Sequence, residues 1–192
     1  MNIVVIQGHP DPAGGRFGHA LADAYAEGAR AGGHEVRRLD IARLDFPVLR
    51  TRADWESGEP PAAIRAAQET IAWAGHLAIV FPLWLGDMPA LVKAFFEQLM
   101  RPDFAIRAST GPSLWDKLLE GRSARVVVTM GMPALFYRVV YRAHSVKSLE
   151  RNILNFCGIA PVRTSLIGTI EGAQASRERW IARMRKLGKD AK

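Results

Sequence analysis

The stretch NIVVIQGHPDPAGGRF, residues 2–17, is an apolar run followed by a loop rich in glycine and proline. Residues 2–7 predict a β-strand, because apolar, mostly β-branched side chains are typical of strands. An alanine-rich helical pattern over 16–32 follows the loop and ends at Gly32-Gly33, a common helix stop. Strand, loop and helix in this order form the unit from which layered α/β sheets are built.

The same alternation continues along the chain. Further strands are predicted at 34–39, 77–81, 125–129 and 162–167, and further helices at 60–74, 89–100, 145–156 and 174–187. Five strands joined by helical crossovers predict a parallel sheet with helices on both faces. We expect the strand order 2-1-3-4-5, in which the loops after the first and third strands meet at the switch point where ligands bind.

Length and composition predict a single domain over residues 1–192. The chain is 48% hydrophobic and 23% charged, and no apolar stretch approaches the ~20 residues of a membrane span. One cysteine, Cys157, excludes an internal disulfide, and the start of the chain has no export signal, so we expect a cytoplasmic protein without membrane insertion. The irregular segments 40–58 and 101–122 exceed ordinary loop lengths and are candidate site walls or subunit contacts.

The net charge of +7 is concentrated near the end of the chain. Residues 176–192 carry seven basic side chains against two acidic ones. A solvated helix is the favoured interpretation, with an acidic protein partner or a general attraction for anionic cofactors left open. No nucleic-acid partner is predicted, because neither a recognition motif nor interleaved stacking aromatics accompany the charge.

The first loop predicts an anion site. Glycines at 14 and 15 let backbone N–H groups converge, the following helix presents its positive end, and His9 and Arg16 add donors. The alternative is a purely structural turn. The loop is neither a P-loop nor the dinucleotide G-x-G-x-x-G.

Two later loops predict a flat ring beside that anion. Pro82 and Pro89 bracket a stiff apolar segment that contains Trp84, whose indole suits stacking on a planar heterocycle. The alternative is that Trp84 packs in the core beneath Phe95 or Phe96. Another loop begins at Thr129 on the same edge of the sheet.

Three motifs resemble one known family. They are G-H-P…F-x-x-A-L near the start, F-P-L-W-x-x-x-x-P-A-x-x-K-x-F-F-E from residue 81, and T-x-G-x-(5)-Y from residue 129. Together they resemble the flavodoxin-like NAD(P)H:quinone oxidoreductases. The resemblance implies a flavodoxin-like three-layer fold, a bound flavin (FAD or FMN, not distinguished) and NAD(P)H as co-substrate. It also implies a quinone-like acceptor reduced in a ping-pong reaction, and a homodimer with active sites at the interface.

The resemblance also implies roles for particular residues. The flavin would be held by His9, Gly15, Arg16, Phe17, Pro82, Leu83, Trp84, Leu85, Thr129, Met130 and Gly131. Tyr137 and His144 would be catalytic, and Phe104 and Tyr137 would contact the substrate, with no metal involved. From the residues alone, Tyr137 could instead cap the core or form a dimer contact.

Some positions depart from the family pattern. Arg16 replaces a small hydroxyl residue, Met130 and Met132 replace Thr and Gly, and Ala143 stands where a histidine is expected, one residue before His144. Two alternative functions stay open: a flavin-holding regulatory subunit of a membrane ion-efflux system, and a flavodoxin-type electron carrier. Carriers of that type are usually acidic, so the charge of +7 counts against the latter.

Overall fold

A computed structural model describes all 192 residues and confirms the parallel sheet. The strands are β1 (Asn2–Gln7), β2 (Glu35–Asp40), β3 (His76–Pro82), β4 (Ile106–Ala108), β5 (Trp115–Lys117), β6 (Ser123–Thr129) and β7 (Val162–Ile167). Five of them form one sheet in the order β2-β1-β3-β6-β7, with every pair parallel. Among these five strands, that is the predicted order. The short strands β4 and β5 form a separate antiparallel hairpin within the segment 101–122, which was expected to be irregular.

The predicted helices are present, with two additions. The helices are α1 (Phe17–Ala31), α2 (Arg52–Glu56), α3 (Ala62–Trp73), α4 (Ala90–Leu99), α5 (Ala134–Val139), α6 (His144–Ser148) and α7 (Gln174–Lys189). The short α2 lies in the predicted connection 40–58, and α5 occupies a region for which no helix was predicted. The helix predicted over 145–156 is α6 continued by a wider π-helical turn at Leu149–Leu154. No helix is both long enough and apolar enough to cross a membrane.

Alternate side chains of the strands divide the core into two layers. In β1, Val4 and Ile6 pack with α3 and α4, whereas Ile3 and Val5 pack with α1 and α7. All four side chains are fully buried. Because helices cover both faces of the sheet, the central strands have no solvent-facing side, which explains their continuous apolar sequence.

The helices α1 and α7 cross at unusually short range. A Cβ atom on Gly28 would lie 1.9 Å from the carbonyl oxygen of Arg185, and one on Gly188 would lie 2.1 Å from that of Tyr25. Only glycine permits backbones to approach this closely. The basic outer face of α7 stays in solvent, where Arg185 pairs with Glu27 at 3.0 Å.

Cys157 lies in the core, in the turn that follows the π-helical segment. Burial raises the pKa of its thiol to about 12. The side chain is therefore a protonated core residue rather than a nucleophile.

Candidate functional site

Chain segments far apart in sequence lie side by side beyond the carboxyl ends of the strands. The N–H of Gly8 donates to the carbonyl of Val80 at 2.7 Å, which joins the loop after β1 to β3. The N–H of Leu83 donates to the carbonyl of Thr129 at 2.7 Å, which joins the loop after β3 to the end of β6. Three predicted site segments therefore meet at one edge of the sheet.

The loop after β1 is closed at its base by Gln7. This buried side chain accepts a hydrogen bond from the N–H of His9 at 2.9 Å and donates one to the carbonyl of Gly18 at 3.1 Å. Gly8 is packed so tightly that a Cβ atom there would lie 2.9 Å from Cγ2 of Val92. The loop thus has a fixed position relative to α1 and α4.

The middle of this loop presents unpaired donors. The backbone N–H groups of Gly14, Gly15, Arg16 and Phe17 have no acceptor within the protein. The two glycines have φ of 78° and 71°, and no atom lies within 4 Å of a Cβ built on either. The first turn of α1 contains no acidic residue. Converging N–H groups at a helix start, with open space before them, suit an anion such as a phosphate.

Arg16 is placed differently from what the sequence suggested. Its guanidinium donates to the carboxylate of Asp11 at 2.8 and 3.0 Å. The N–H of Ala13 also donates to that carboxylate at 2.9 Å, and these bonds, that from Ala13 first, lower the pKa of Asp11. The charge of Arg16 is therefore compensated within the loop, and its backbone N–H is left without an acceptor.

His9 connects the first loop to the second. Its ring lies edge-on to Trp84, with 5.9 Å between centroids, and 5.2 Å from the ring of His19. Nδ1 of His9 accepts a hydrogen bond from the N–H of Asp11 at 3.1 Å. Burial, followed by the nearby charge of His19, lowers the pKa of His9. The ring is therefore neutral at pH 7, with its Nε2–H available as a donor.

The loop after β3 is a tight hairpin turn. Trp84 and Asp87 exchange backbone hydrogen bonds of 2.8 and 2.9 Å around Leu85 and Gly86, whose φ angles are 49° and 82°. Two central residues of positive φ define a type I′ turn. Leu85 is fully exposed and Trp84 is 48% exposed. The alternative that placed Trp84 in the core beneath a phenylalanine is wrong, because the turn lifts the indole out to the surface.

The rest of this loop anchors it on both sides. Pro82 is the buried last residue of β3, and Leu83 packs partly against the core. Oδ1 of Asp87 accepts hydrogen bonds from Oγ of Ser145 and, at 2.6 Å, from the N–H of Met88. The loop is thereby tied to the start of α6.

Of the three site residues predicted at this point, Thr129, Met130 and Gly131, only Gly131 is exposed. Thr129 and Met130 are buried, and the side chain of Met130 packs in the core while its N–H donates to the carbonyl of Ile167 at 2.9 Å. A Cβ atom on Gly131 would meet no atom within 4 Å. A ligand approaching this segment would therefore lie against Gly131.

Tyr137 is fully buried on the inner side of α5. Its hydroxyl lies close to Ser145 and Val146 but makes no hydrogen bond of good geometry. Burial raises the pKa of this phenol, so it is a neutral donor at pH 7. The buried position agrees with the alternative in which Tyr137 caps the core. The hydroxyl has no hydrogen-bond partner in the protein and so is left as a donor for a polar edge of a ligand.

Tyr141 is a site residue that the sequence did not single out. From a Cβ built on Gly86, Cε1 of Tyr141 would be 3.5 Å away and Cε1 of His144 3.8 Å. The two rings stack with 6.2 Å between centroids, and Nδ1 of His144 is 3.0 Å from the carbonyl oxygen of Tyr141. His144 thus lies against the second loop, although its spacing from Tyr137 departs from the family pattern.

Phe104 is not part of this constellation. It follows α4, whose ten residues extend about 15 Å from the loop after β3 towards the opposite edge of the sheet. There it lies in a shallow cavity with Trp55, Gly58 and Arg101. This cavity shares no lining residue with the cavity that contains Trp84.

A groove of about 500 Å³ opens beside the second loop. The loop and the start of α4 form one wall, and the helical segment after residue 144 forms the other. Its lining includes Trp84, Leu85, Met88, Lys93, Ser148 and Ile153. No group of three or more His, Cys, Asp or Glu side chains is arranged to hold a metal ion.

A family model described as a flavodoxin-like fold matches residues 1–187. An uncharacterized NAD(P)H oxidoreductase of Haemophilus influenzae is 25% identical, over 88% of this chain and 85% of its own. An FMN-dependent NADH:quinone oxidoreductase of Bacillus cereus is 26% identical, over 97% and 98%. NAD(P)H dehydrogenase [quinone] 1 of Rattus norvegicus is 24% identical over 80% of this chain, which spans 64% of that protein.

Solved structures show the same fold. An NAD(P)H:quinone oxidoreductase from Methanothermobacter marburgensis superposes with a TM-score of 0.80 at 24% identity, covering 99% of this chain and 96% of that one. A protein described as a quinone reductase from Klebsiella pneumoniae gives a TM-score of 0.84 at 20% identity, covering 97% and 83%.

Proposed function

The chain belongs to the flavodoxin-like fold family, and from that premise we propose that it is a flavin-dependent NAD(P)H oxidoreductase acting on a quinone or similar acceptor. The observation that carries the proposal is the contact between His9 and Trp84, which joins an anion-binding loop to an exposed indole. The names of the H. influenzae and B. cereus relatives support it. A flavin held at this site would supply hydride-transfer chemistry between NAD(P)H and the acceptor.

The residues present fit a flavin. The unpaired N–H groups of residues 14–17 would hold its phosphate, and the open glycines leave room for it. Trp84 and Gly131 would border the flat ring system, because both are exposed at the same edge. The free hydroxyl of Tyr137 would donate to a polar ring edge, where a preorganised donor is worth ~3 kcal/mol when negative charge develops.

The groove beside Trp84 supports the ping-pong order. It is one cavity of about 500 Å³, so NAD(P)H and the acceptor would occupy it in turn rather than together. Tyr141 and His144 lie over Gly86 at its edge, where they would position the ring of either substrate and exclude water. No protein nucleophile is needed.

We extend the proposal to a homodimer. The outer side of α5 and the residue after it expose Leu135, Phe136, Val139 and Val140, a set of apolar side chains beside the site. A second copy would cover them, and a partner is also the route by which Phe104 would reach a substrate. Light scattering of the purified protein measures the mass; a monomer at micromolar concentration contradicts this part.

FMN is the flavin we propose, since the B. cereus relative named for it matches this chain over nearly the whole length of both. Mass spectrometry of the cofactor released by denaturation distinguishes FMN from FAD. The cytoplasm is the proposed compartment, because the one cysteine is buried and unpaired.

The decisive experiment titrates flavin into apoprotein and follows NAD(P)H oxidation with menadione. Trp84→Leu should weaken flavin binding roughly tenfold, because the indole would contribute stacking as well as buried area. Trp115→Leu is the matched control, since Trp115 is 44% exposed but lies on the β4–β5 hairpin and does not line the groove beside Trp84. Absence of flavin binding refutes the proposal. Bound flavin without turnover would favour the regulatory-subunit alternative.

A further inference from the structure

Three cations form a cluster next to the proposed site. Arg142, Lys147 and Arg151 line a cavity of about 260 Å³ together with His144, Ser148 and Asn152, and no lining residue is apolar or acidic. None of the three cations lies within 4.0 Å of a carboxylate, although nine ion pairs form elsewhere in the chain. Lys147 and Arg151 are also four residues apart on one helical face, a repulsive spacing.

The backbone that presents this cluster is strained. Arg142 and Ala143 have φ of 52° and 49°, two consecutive left-handed residues that are not glycine. Such strain persists only where the surrounding structure enforces it, and it is concentrated at ligand-binding positions. Here it turns the chain between α5 and α6 so that Arg142 joins the two cations of the following helix.

The cluster is continuous with the substrate groove. Ser148 lines both cavities, and His144 lines the basic cavity while its ring lies against Gly86. From His144 to Arg151 the helical segment runs about 10 Å. A ligand with one end at Trp84 therefore has the cations within reach of its other end.

We propose that this cluster binds the 2′-phosphate of NADPH and so makes the protein selective for NADPH over NADH. The assignment rests on the proposed oxidoreductase function. A phosphate monoester carries close to two negative charges at pH 7 and matches several converging cations, with arginine able to donate two parallel bonds. NADH lacks that group, so the repulsion within the cluster would stay uncompensated when NADH binds.

The test compares both nucleotides in the flavin-loaded protein. Arg151→Ala and Lys147→Ala should each raise the KM for NADPH roughly tenfold, with kcat and the KM for NADH unchanged. Lys186→Ala on α7 is the control for general electrostatic attraction and should leave all constants unchanged. Equal losses for NADH and NADPH would assign the cluster to the shared pyrophosphate and overturn the proposal, as would an equal effect of Lys186→Ala.

A binding measurement separates this inference from the proposed function. In calorimetry, 2′,5′-ADP should bind the wild-type protein at least tenfold more tightly than 5′-AMP, and Arg151→Ala should abolish the difference. If the difference is found but neither nucleotide is oxidised, the oxidoreductase function fails while the phosphate site stands. If both nucleotides are oxidised with equal kcat/KM and the two ligands bind alike, the function stands and the 2′-phosphate site is refuted.

Discussion

A buried histidine should make the stability of this protein fall in mild acid. His76, the first residue of β3, is buried beside Tyr25, and its Nδ1 lies 2.7 Å from Oγ of Ser123. Its Nε2 has no hydrogen-bond partner. Burial, with smaller effects from the charges of Arg125 and Arg163, lowers the pKa of His76 from 6.5 to about 4.

The direction in which the free energy of unfolding changes with pH depends on whether the folded or the unfolded state binds the proton at higher pH. The pKa of His76 is lower in the folded protein, so the unfolded chain takes up the proton at higher pH. Its contribution to the free energy of unfolding is complete above 6.5, declines below that value and is lost once the pH falls through about 4. The gap corresponds to about 3 kcal/mol in total, of which about 2 kcal/mol is lost between pH 7 and pH 5.

Urea unfolding at a series of pH values measures this loss. His76→Leu replaces the imidazole with an apolar side chain of similar volume. The free energy of unfolding of this variant should fall by about 2 kcal/mol less than that of the wild type between pH 7 and pH 5. Carboxylates titrate in both proteins, so their effect cancels in the difference. His144→Asn, which removes an exposed imidazole, should behave like wild type. Parallel pH profiles for wild type and His76→Leu would refute the reasoning.

Three further substitutions test the loops. Gly8→Ala should lower the free energy of unfolding by about 1–3 kcal/mol, because the added Cβ would lie 2.9 Å from a valine of α4. Gly131→Ala is the control: its Cβ would meet no atom within 4 Å, and the free energy of unfolding in the same urea titration should change by under ~0.5 kcal/mol. Ser145→Ala removes the hydroxyl that anchors the second loop and should weaken flavin binding roughly fivefold by fluorescence titration. Ser57→Ala, which removes a hydroxyl bonded to Ala53 after α2, is the control, and equal losses contradict the anchoring role. Arg16→Gln should change flavin affinity by less than about threefold, since its charge is already paired, and a hundredfold loss would show that the guanidinium itself binds the phosphate.

The sheet and the place of the site were predictable because they depend on local patterns. Apolar runs separated by helical patterns determine the number and the parallel direction of the main strands, and the handedness of crossovers leaves few possible orders. Glycines 14 and 15 and the bracketed loop around Trp84 mark strand ends that such an order brings together. These features follow from residue types at fixed spacing, which the sequence displays directly.

Side-chain partners across loops were not predictable in the same way. The ion pair between Arg16 and Asp11 depends on the curvature of one loop, which its glycines leave unspecified. The position of Tyr141 against Gly86 depends on left-handed backbone at Arg142 and Ala143, which their residue types disfavour. The backbone preferences of Arg142 and Ala143 therefore predicted a different conformation from the left-handed one that tertiary packing imposes.

The glycine crossing between α1 and α7 has a mechanical consequence for the phosphate loop. Helices whose backbones touch at Gly28 and Gly188 cannot slide past each other, because each carbonyl fills the notch left by the missing side chain. The two helices should therefore move as one rigid body. The residues proposed to bind the phosphate lie at the N-terminal end of α1. Position 28 lies about 16 Å along the helix from residue 17. A methyl group added at position 28 would push α1 away from α7 and so displace the N–H groups proposed to bind the phosphate.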